Sequence, residues 1–307
     1  MPFAAMAVRM IGAGKILSES VQQKCLKALR ASIRAFAAAA LLMVAQPLAA
    51  AESGLPALWD AKERLPKPDL SQVQRLRFLT TTDFPPFNFL DDGGRLSGFH
   101  VDLARAICAE LSMADRCQIQ ALPWDELQTA LEKGEGEAIL AGISVTAQSR
   151  ATYAFSRPYM IFPARFVTRR ASPLDEPMAD RLVNQRVGVI AGSTHERMLR
   201  AYFAGVKVIT YDQPDWMYRD LRDAKLDAVF GDGMQLSFWL SGPEQQGCCS
   251  FAGGPYLAPE FLGQGLSIAT TPENRALVDA FDYALQAISS KGTMTELYLR
   301  YFPVGFF

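Results

Sequence analysis

Three polar residues directly follow predicted β-strands, where their groups can meet a small charged molecule. Ser193 and Thr194 lie between the strand RVGVIAG and a helix, and Asp232 ends the strand LDAVFGD. Backbone N–H groups and the helix dipole at a helix start favour an anion such as a carboxylate. An aspartate after a strand pairs with a cation or only caps the next helix, and capping is also the alternative role for Ser193 and Thr194. Because open α/β sheets bind ligands beyond their strand ends, the pattern predicts a ligand site here.

Residues that would perform catalysis or hold a metal are scarce. The sequence contains neither HExxH nor GxSxG, and His100 and His195 are its only histidines. His195 follows Thr194 and could act as a base, but a helix start lowers the pKa of a histidine, and an exposed first-turn residue is the favoured interpretation. Neither histidine shows zinc-ligand spacing with the cysteines. The sequence therefore predicts no catalytic residue, no metal and no cofactor.

The first 51 residues have the layout of a secretory signal peptide. Six basic residues and one acid precede an apolar run over residues 35–44, and the small-residue sequence LAAAE follows. Cleavage before Glu52, near Ala51, fits best, and the long basic region indicates a possible translation start at Met10. A retained membrane anchor is the alternative, although the run is shorter than the roughly 20 residues that span a bilayer. We expect export to the periplasm.

Cleavage changes the charge of the chain. It removes six of 31 basic residues and one of 32 acidic ones, which leaves 25 against 31 and a charge of −6. A nucleic acid is therefore not an expected partner. No later stretch of the sequence reaches membrane-spanning length, so we expect a soluble mature protein.

Four cysteines remain after cleavage, an even number that suggests disulfides in an oxidising compartment. Cys108 and Cys117 are nine residues apart, between the end of a predicted helix and the start of a strand, so a local bridge is geometrically easy. Two buried free thiols are the alternative. The sequence does not indicate partners for the adjacent Cys248 and Cys249.

Strands and helices alternate along most of the chain. Residues 52–75 contain three prolines and predict an extended leader. From Leu76 onward, strands such as RLRFLTTTDF and CQIQAL alternate with amphipathic helices such as GFHVDLARAICAEL. The alternation resumes with RVGVIAG, a helix from Thr194 to Phe203, VKVITY, a helix from Asp215 to Ala224 and LDAVFGD. This order predicts an α/β protein with doubly wound sheets.

Six motifs in order resemble those of the family 3 periplasmic solute-binding proteins, such as the polar amino-acid binding proteins of ABC importers. They are TDFPPFNFLDDGGRLSGFHVDLARAI, PWDEL, AGISVT, FSRPY, VGVIAGSTHE and DAVFGD. The resemblance covers about residues 76–302. It implies a type II periplasmic-binding fold, with lobe 1 formed by residues 76–163 and 268–307 and lobe 2 by residues 164–267. Two crossing segments, near FPARFV and GLSIA, would join the lobes.

The resemblance assigns a role to each polar strand-end residue. Asp232 would take the ammonium group of an amino-acid ligand, and Ser193 and Thr194 would contact its carboxylate. Ser144, in GISVT, would offer its hydroxyl, for which a surface turn is the alternative.

A guanidinium fork would complete the carboxylate site. The family places an arginine five residues after the serine, but here Ser149 holds that position and Arg150 lies six after Ser144. Either a small loop adjustment lets Arg150 reach the carboxylate, or Arg165 in the first crossing segment supplies the charge.

Aromatic walls for the ligand side chain are implied at Phe84 and Trp124, where core packing is the alternative. Thr81 stands where binders of basic amino acids carry an acid, which argues against a cationic side chain on the ligand. Asp83 is close in sequence and could substitute for that acid.

The implied function is capture of an amino acid or similar zwitterion by a periplasmic monomer, which delivers it to an ABC permease in the inner membrane. A dehydratase-like enzyme on the same fold is one alternative, because fold does not fix function. A ligand-sensing partner of a receptor is the other. The sequence does not identify the amino acid.

Overall fold

The computed structural model describes residues 58–60 and 62–307. The predicted signal peptide therefore lies outside the described residues. Within the described residues, no helix combines the length and the apolar character needed to cross a membrane.

The described strands and helices are numbered along the chain. The strands are β1 Leu76–Thr80, β2 Asp83–Phe84, β3 Asn88–Leu90, β4 Leu96–Ser97, β5 Cys117–Ala121, β6 Ala138–Ile139, β7 Ala154–Phe155, β8 Ala164–Arg169, β9 Arg186–Ile190, β10 Lys207–Tyr211, β11 Ala228–Asp232, β12 Cys249–Tyr256 and β13 Ala269–Thr270. The helices are α1 Phe99–Glu110, α2 Leu127–Glu132, α3 Ser149–Thr152, α4 Met178–Arg181, α5 Thr194–Tyr202, α6 Pro214–Arg222, α7 Gly233–Ser241, α8 Pro259–Leu262, α9 Arg275–Ser290 and α10 Thr293–Tyr301. Short 3₁₀ turns lie at Ala114–Arg116, Trp124–Glu126 and Pro243–Gln245.

Two five-stranded mixed sheets organise these elements, as expected for an α/β protein. The first sheet has the order β5-β1-β6-β13-β7, with β1 parallel to β5 and β6. The second has the order β10-β9-β11-β8-β12, with β9 parallel to β10 and β11. The chain leaves the first sheet after β7, forms the second from β8 to β12, and returns at β13. A small antiparallel sheet, β2-β3-β4, follows β1.

The amphipathic helices bury the faces that the sequence predicts. The predicted face of α1 includes Leu103 and Ile107, and that of α9 includes Phe281 and Leu285; all four residues are buried in one core. Each of these side chains removes apolar surface from water, which stabilises the fold by about 1.5–3 kcal/mol for a fully buried leucine or phenylalanine.

Some predicted elements are shorter than their sequence pattern. The stretch EAILAGISV predicts a strand, but only Ala138–Ile139 is one. Gly142 ends the extended run with a φ of 86°, and a Cβ there would lie 2.8 Å from the Phe84 ring. The second-sheet helices also end earlier than predicted, at Tyr202 and Arg222.

The structure confirms the predicted disulfide between Cys108 at the end of α1 and Cys117 at the start of β5, whose Cα atoms are 6.1 Å apart. It also bridges the adjacent pair Cys248 and Cys249, for which the sequence indicated no partners.

A chain of buried hydrogen bonds supports the small sheet. The Tyr159 hydroxyl lies 2.7 Å from Nε2 of His100, whose Nδ1 lies 2.6 Å from Oδ1 of Asn88. Asn88 Nδ2 in turn donates to the Thr81 hydroxyl at 2.7 Å. Because the Asn88 oxygen must accept, His100 carries its proton on Nδ1, and its Nε2 accepts a hydrogen bond from the Tyr159 hydroxyl. Burial lowers the pKa of His100 to about 3, so this imidazole is neutral.

The described part of the leader and the C-terminal segment, residues 302–307, both pack against the body formed by the two sheets and their helices. In the described leader, Glu63 pairs with Arg157, and the Leu65 N–H donates to Gln286 of α9. At the other end of the chain, the Val304 carbonyl accepts a hydrogen bond from Ser237 of α7. The C-terminal segment thus contacts a helix of the second sheet, although Phe302 and Phe306 belong to the first core.

Candidate functional site

Three parallel strands of the first sheet end at a common edge, and each leads to a predicted site residue. Phe84 follows β1, Trp124 follows β5 and Ser144 follows β6. The carboxyl ends of parallel strands form the crevice where α/β sheets bind ligands. The topology therefore brings these three residues to one edge.

The two predicted aromatic walls differ in exposure. Phe84 is half-buried and stacks on Phe87 with ring centroids 4.7 Å apart, and Phe87 lies 4.9 Å from the His100 ring. Trp124 is 55% exposed on its 3₁₀ turn. The exposed indole of Trp124 is available to contact a ligand. The ring of Phe84 packs on the buried Phe87 ring on one side.

The residues flanking this edge are polar but differently placed. Thr81 is buried and its hydroxyl accepts from Asn88, so it is part of the internal hydrogen-bond chain. Asp83 is exposed on β2.

A compact turn contains Ser144 and Arg150. The Ser149 hydroxyl accepts from the Thr146 N–H at 2.9 Å and donates to the Ser144 carbonyl at 2.8 Å. Ser149 is therefore engaged within the turn. Arg150 is exposed on α3, and its Nη2 donates to Oε1 of Gln264 at 2.9 Å. No sequence motif indicated Gln264, which lies 114 residues further along the chain.

In the second sheet, parallel β9 and β11 lead to the other predicted residues. Ser193 is the N-cap of α5: its hydroxyl accepts from the Glu196 N–H at 3.0 Å, and the Glu196 carboxylate accepts from the Gly192 N–H at 2.7 Å. The cap lies one residue before Thr194, the first helical residue, and it differs from a capping box because Glu196 accepts from Gly192 and not from Ser193. The Ser193 hydroxyl also donates to the Ile190 carbonyl, so it is fully engaged.

Two backbone donors remain at this helix start. Thr194 and His195 occupy the first two helical positions, whose N–H groups have no acceptor within a helix. Neither group has a hydrogen-bond acceptor among the residues that the structure describes. Together with the helix dipole, these N–H groups favour an anion.

Asp232 combines capping with electrostatic coupling. Its Oδ1 accepts from the Gln235 N–H at 2.9 Å, so it is the N-cap of α7. The carboxyl is half-buried, and burial raises its pKa, while hydrogen bonding to Gln235 and the charge of His195 act in the opposite direction. A carboxylate with part of its hydration removed attracts a cation strongly.

His195 is the polar neighbour that the sequence assigned wrongly to the exposed surface. Its half-buried ring lies 6.2 Å from the Phe230 ring of β11. Burial lowers the pKa of His195, and the nearby Asp232 charge opposes this shift. The contact depends on a strand distant in sequence, so no local pattern indicated it.

Arg165, the alternative cation for a carboxylate, is only 8% exposed on β8. Its Nη1 donates to the Phe306 carbonyl at 3.2 Å, and its guanidinium lies 4.5 Å from the centroid of the Phe251 ring. Burial lowers its pKa. These contacts hold Arg165 inside the protein, although its buried Nε has no hydrogen-bond partner among the described residues, whereas the guanidinium of Arg150 is exposed.

The residues at the strand ends of the two sheets suit a ligand that carries one positive and one negative charge. Arg150 and the α5 N–H groups favour an anion, Asp232 favours a cation, and Phe84 and Trp124 offer apolar surface. The described residues contain no group of three or more histidines, cysteines and acids that could hold a metal ion.

Comparison with known proteins identifies the family. Residues 76–304 match the model of the bacterial extracellular solute-binding proteins, family 3. The chain belongs to this family.

Among relatives of this family 3 protein are two arginine-binding proteins. It is 28% identical over 233 residues to the ABC transporter arginine-binding protein 1 of Escherichia coli, covering 76% of this chain and 93% of the relative. It is 30% identical to the L-arginine-binding protein of Pseudomonas aeruginosa, covering 71% and 84%.

Solved structures show the same fold. The unliganded, open L-cystine solute receptor of Neisseria gonorrhoeae has a TM-score of 0.63 at 19% identity, covering 75% of this chain and 93% of that one. An ancestral cyclohexadienyl dehydratase also has a TM-score of 0.63, at 18% identity, covering 79% and 98%. The predicted type II periplasmic-binding fold with two lobes is thus confirmed, and the fold is shared by binding proteins and an enzyme.

Proposed function

We propose that this protein captures an amino acid between its two lobes and delivers it to an ABC importer. Two groups of residues at strand ends carry the proposal. Beside the first sheet, Arg150 favours an anion and the two aromatic residues favour an apolar side chain. Beside the second sheet, the N–H groups of α5 favour an anion and the Asp232 carboxylate favours a cation. A zwitterion buried between lobes needs both kinds of partner, because unpaired charges are costly to bury.

Each ligand group has a proposed partner. The ammonium group binds Asp232. The carboxylate binds the N–H groups at Thr194 and the guanidinium of Arg150, while Phe84 and Trp124 enclose the side chain. Ser193 contributes by fixing the start of α5, because its own hydroxyl is engaged inside the protein.

The wider organisation of the protein follows from the same proposal. Lobe 1 comprises residues 76–163 and 268–307, and lobe 2 comprises residues 164–267. The mature periplasmic monomer starts near Glu52, after removal of the signal peptide. The E. coli relative named as an ABC transporter protein supports delivery to an importer. Arginine is the first amino acid to test because that relative and the P. aeruginosa one are both named for it.

A thermal-shift screen of the mature chain against the twenty amino acids tests capture. A ligand that binds only the folded protein raises the free energy of unfolding by about 2.7 kcal/mol at 100 times its dissociation constant. We expect at least one amino acid to raise the melting temperature in this way. The absence of any shift at millimolar concentrations would contradict the proposal.

An enzyme on the same fold is the second candidate, and the proximity of His195 to Asp232 favours it. A half-buried imidazole beside a carboxylate can move a proton to or from a bound molecule. Turnover of a compound that shifts the melting temperature, lost in His195→Gln, would establish catalysis. Binding without turnover by the pure protein leaves solute capture as the function.

A further inference from the structure

Gln264 occupies a special position between the two sheets. It lies in the segment that leads from α8 beside the second sheet back to β13 in the first. Glycines on both sides adopt left-handed backbone angles, with φ of 78° at Gly263 and 90° at Gly265. A Cβ on Gly265 would lie 2.3 Å from the Met160 carbonyl oxygen, so only glycine fits there.

Backbone hydrogen bonds fix the segment to the first sheet directly after Gln264. The Leu266 N–H donates to the Met160 carbonyl at 2.7 Å, and the Tyr159 N–H donates to the Leu266 carbonyl at 2.9 Å. Leu266 also forms an antiparallel bridge with Ser144. Gln264 is therefore presented beside the turn that carries Arg150.

On its other side, the segment is attached to the second-sheet helix that starts at Thr194. The Phe261 ring of α8 lies 5.5 Å from the Tyr202 ring of α5, edge to face. The Tyr202 hydroxyl also donates to Glu260. The segment that carries Gln264 thus contacts the C-terminal end of α5 on one side and the Arg150 guanidinium on the other.

An exposed arginine on a four-residue helix has many rotamers, and fixing one of them costs side-chain entropy. The hydrogen bond from Arg150 to Gln264 fixes the guanidinium before a ligand arrives. A group ordered in advance adds affinity, because less freedom is lost on binding.

We propose that Gln264 is a positioning residue that holds Arg150 for the ligand carboxylate. The inference rests on the proposed function. It also explains how Arg150 can serve the site although Ser149 holds the family's arginine position. Ser149 closes the turn with its hydrogen bonds, and Gln264 orients the side chain of Arg150.

A double-mutant cycle tests the proposal by calorimetry on the mature chain. The probes are the L-amino acid with the largest shift in the twenty-compound screen and its carboxamide, which lacks the carboxylate. We expect Gln264→Ala to weaken binding of the free amino acid about tenfold, because the Arg150 side chain then has to be ordered on binding. Binding of the carboxamide should stay unchanged.

The decisive comparison uses the Arg150→Met background, where Gln264→Ala should have no further effect on binding of the free amino acid. Gln246→Ala is the control, because Gln246 is also an exposed glutamine beside a left-handed glycine, at the turn of residues 243–247 before β12, although its own φ is 53°. It should bind like the parent.

The outcomes separate the two hypotheses. If the parent binds and Gln264→Ala binds equally well, solute capture stands and the positioning role is wrong. Equal losses for the free amino acid and its amide, or an undiminished loss in the Arg150→Met background, would also overturn the positioning role in favour of a structural one. If the parent binds no amino acid, both hypotheses fail.

Discussion

The polar site groups beside the second sheet are held by the protein itself, whereas those beside the first sheet are open to solvent. Ser193 has four hydrogen bonds within its own turn and helix, and Asp232 caps α7 while half-buried. Trp124 and Arg150 are exposed, and Arg150 has a single hydrogen bond to Gln264.

Because of this difference in hydrogen bonding and exposure, substitutions beside the two sheets should affect folding stability and ligand binding differently. A group that caps a helix contributes to the folded state whether or not a ligand is present, so its removal affects both properties. An exposed indole or guanidinium contributes little to folding, and its removal should affect binding alone. Substitutions that keep one role and delete the other test the comparison.

The largest effect is expected for Asp232→Asn. Asparagine caps a helix about as well as aspartate, so the melting temperature without ligand should hardly change. Binding should weaken by about 2–5 kcal/mol, because the ligand ammonium loses the charge that pairs with it in a buried site. Calorimetry and thermal unfolding measure the two properties. Unchanged binding with a lower melting temperature would leave Asp232 with capping as its only role.

A smaller effect is expected on the pH dependence of the free energy of unfolding, to which the two histidines should contribute unequally. The unfolded chain protonates histidine near pH 6.5, whereas folded His100 takes up a proton only near pH 3. Between these values the unfolded state binds more protons, so the free energy of unfolding falls as the pH falls. From pH 7 to pH 5, His100 should account for about 2 kcal/mol of this loss.

Urea unfolding at several pH values checks this expectation. His100→Gln should be less stable at pH 7, yet lose less stability between pH 7 and 5 than the parent. His195→Gln is the matched variant: burial lowers the pKa of His195 as well, but Asp232 opposes the shift, so its share should be smaller. Identical pH profiles for the parent and His100→Gln would contradict a neutral buried His100.

The smallest effect is expected for Trp124→Ala. The indole is 55% exposed, so the melting temperature without ligand should be unchanged. Ligand binding should weaken by about 0.5–1.5 kcal/mol if an aromatic or flat side chain stacks on it. Trp216→Ala is the control, because Trp216 is 53% exposed on α6 and has no proposed ligand contact. Equal losses of binding in both variants would remove Trp124 from its proposed role.

The fold could be predicted where the sequence repeats a pattern over several turns. The apolar faces of α1 and α9 recur at helical spacing, and residues such as Leu103 and Phe281 are buried accordingly. Two-residue strands such as β6 and β13 have no such repeat. Their extent depends on strand pairing and on Gly142, which turns the chain where the composition still favours a strand.

The site could be predicted to the level of strand ends, but not of side-chain partners. Ser193, Thr194 and Asp232 became candidate residues because each lies at or just after the end of a strand. The contact of His195 with Phe230 and that of Arg150 with Gln264 join segments far apart in the chain. Such contacts form only when the sheets and their connecting segments are assembled, so a short stretch of sequence gives no information about them.

The C-terminal segment has a consequence for measuring lobe movement. The chain joins the two sheets covalently twice, and residues 302–307 join them a third time through Ser237 and Arg165. A rotation that preserves all three links has its axis close to them, so nearby atoms travel least. A fluorophore at position 307 would therefore report closure weakly. One on β10, the edge strand three positions from β8 in the second sheet, would move through a longer arc.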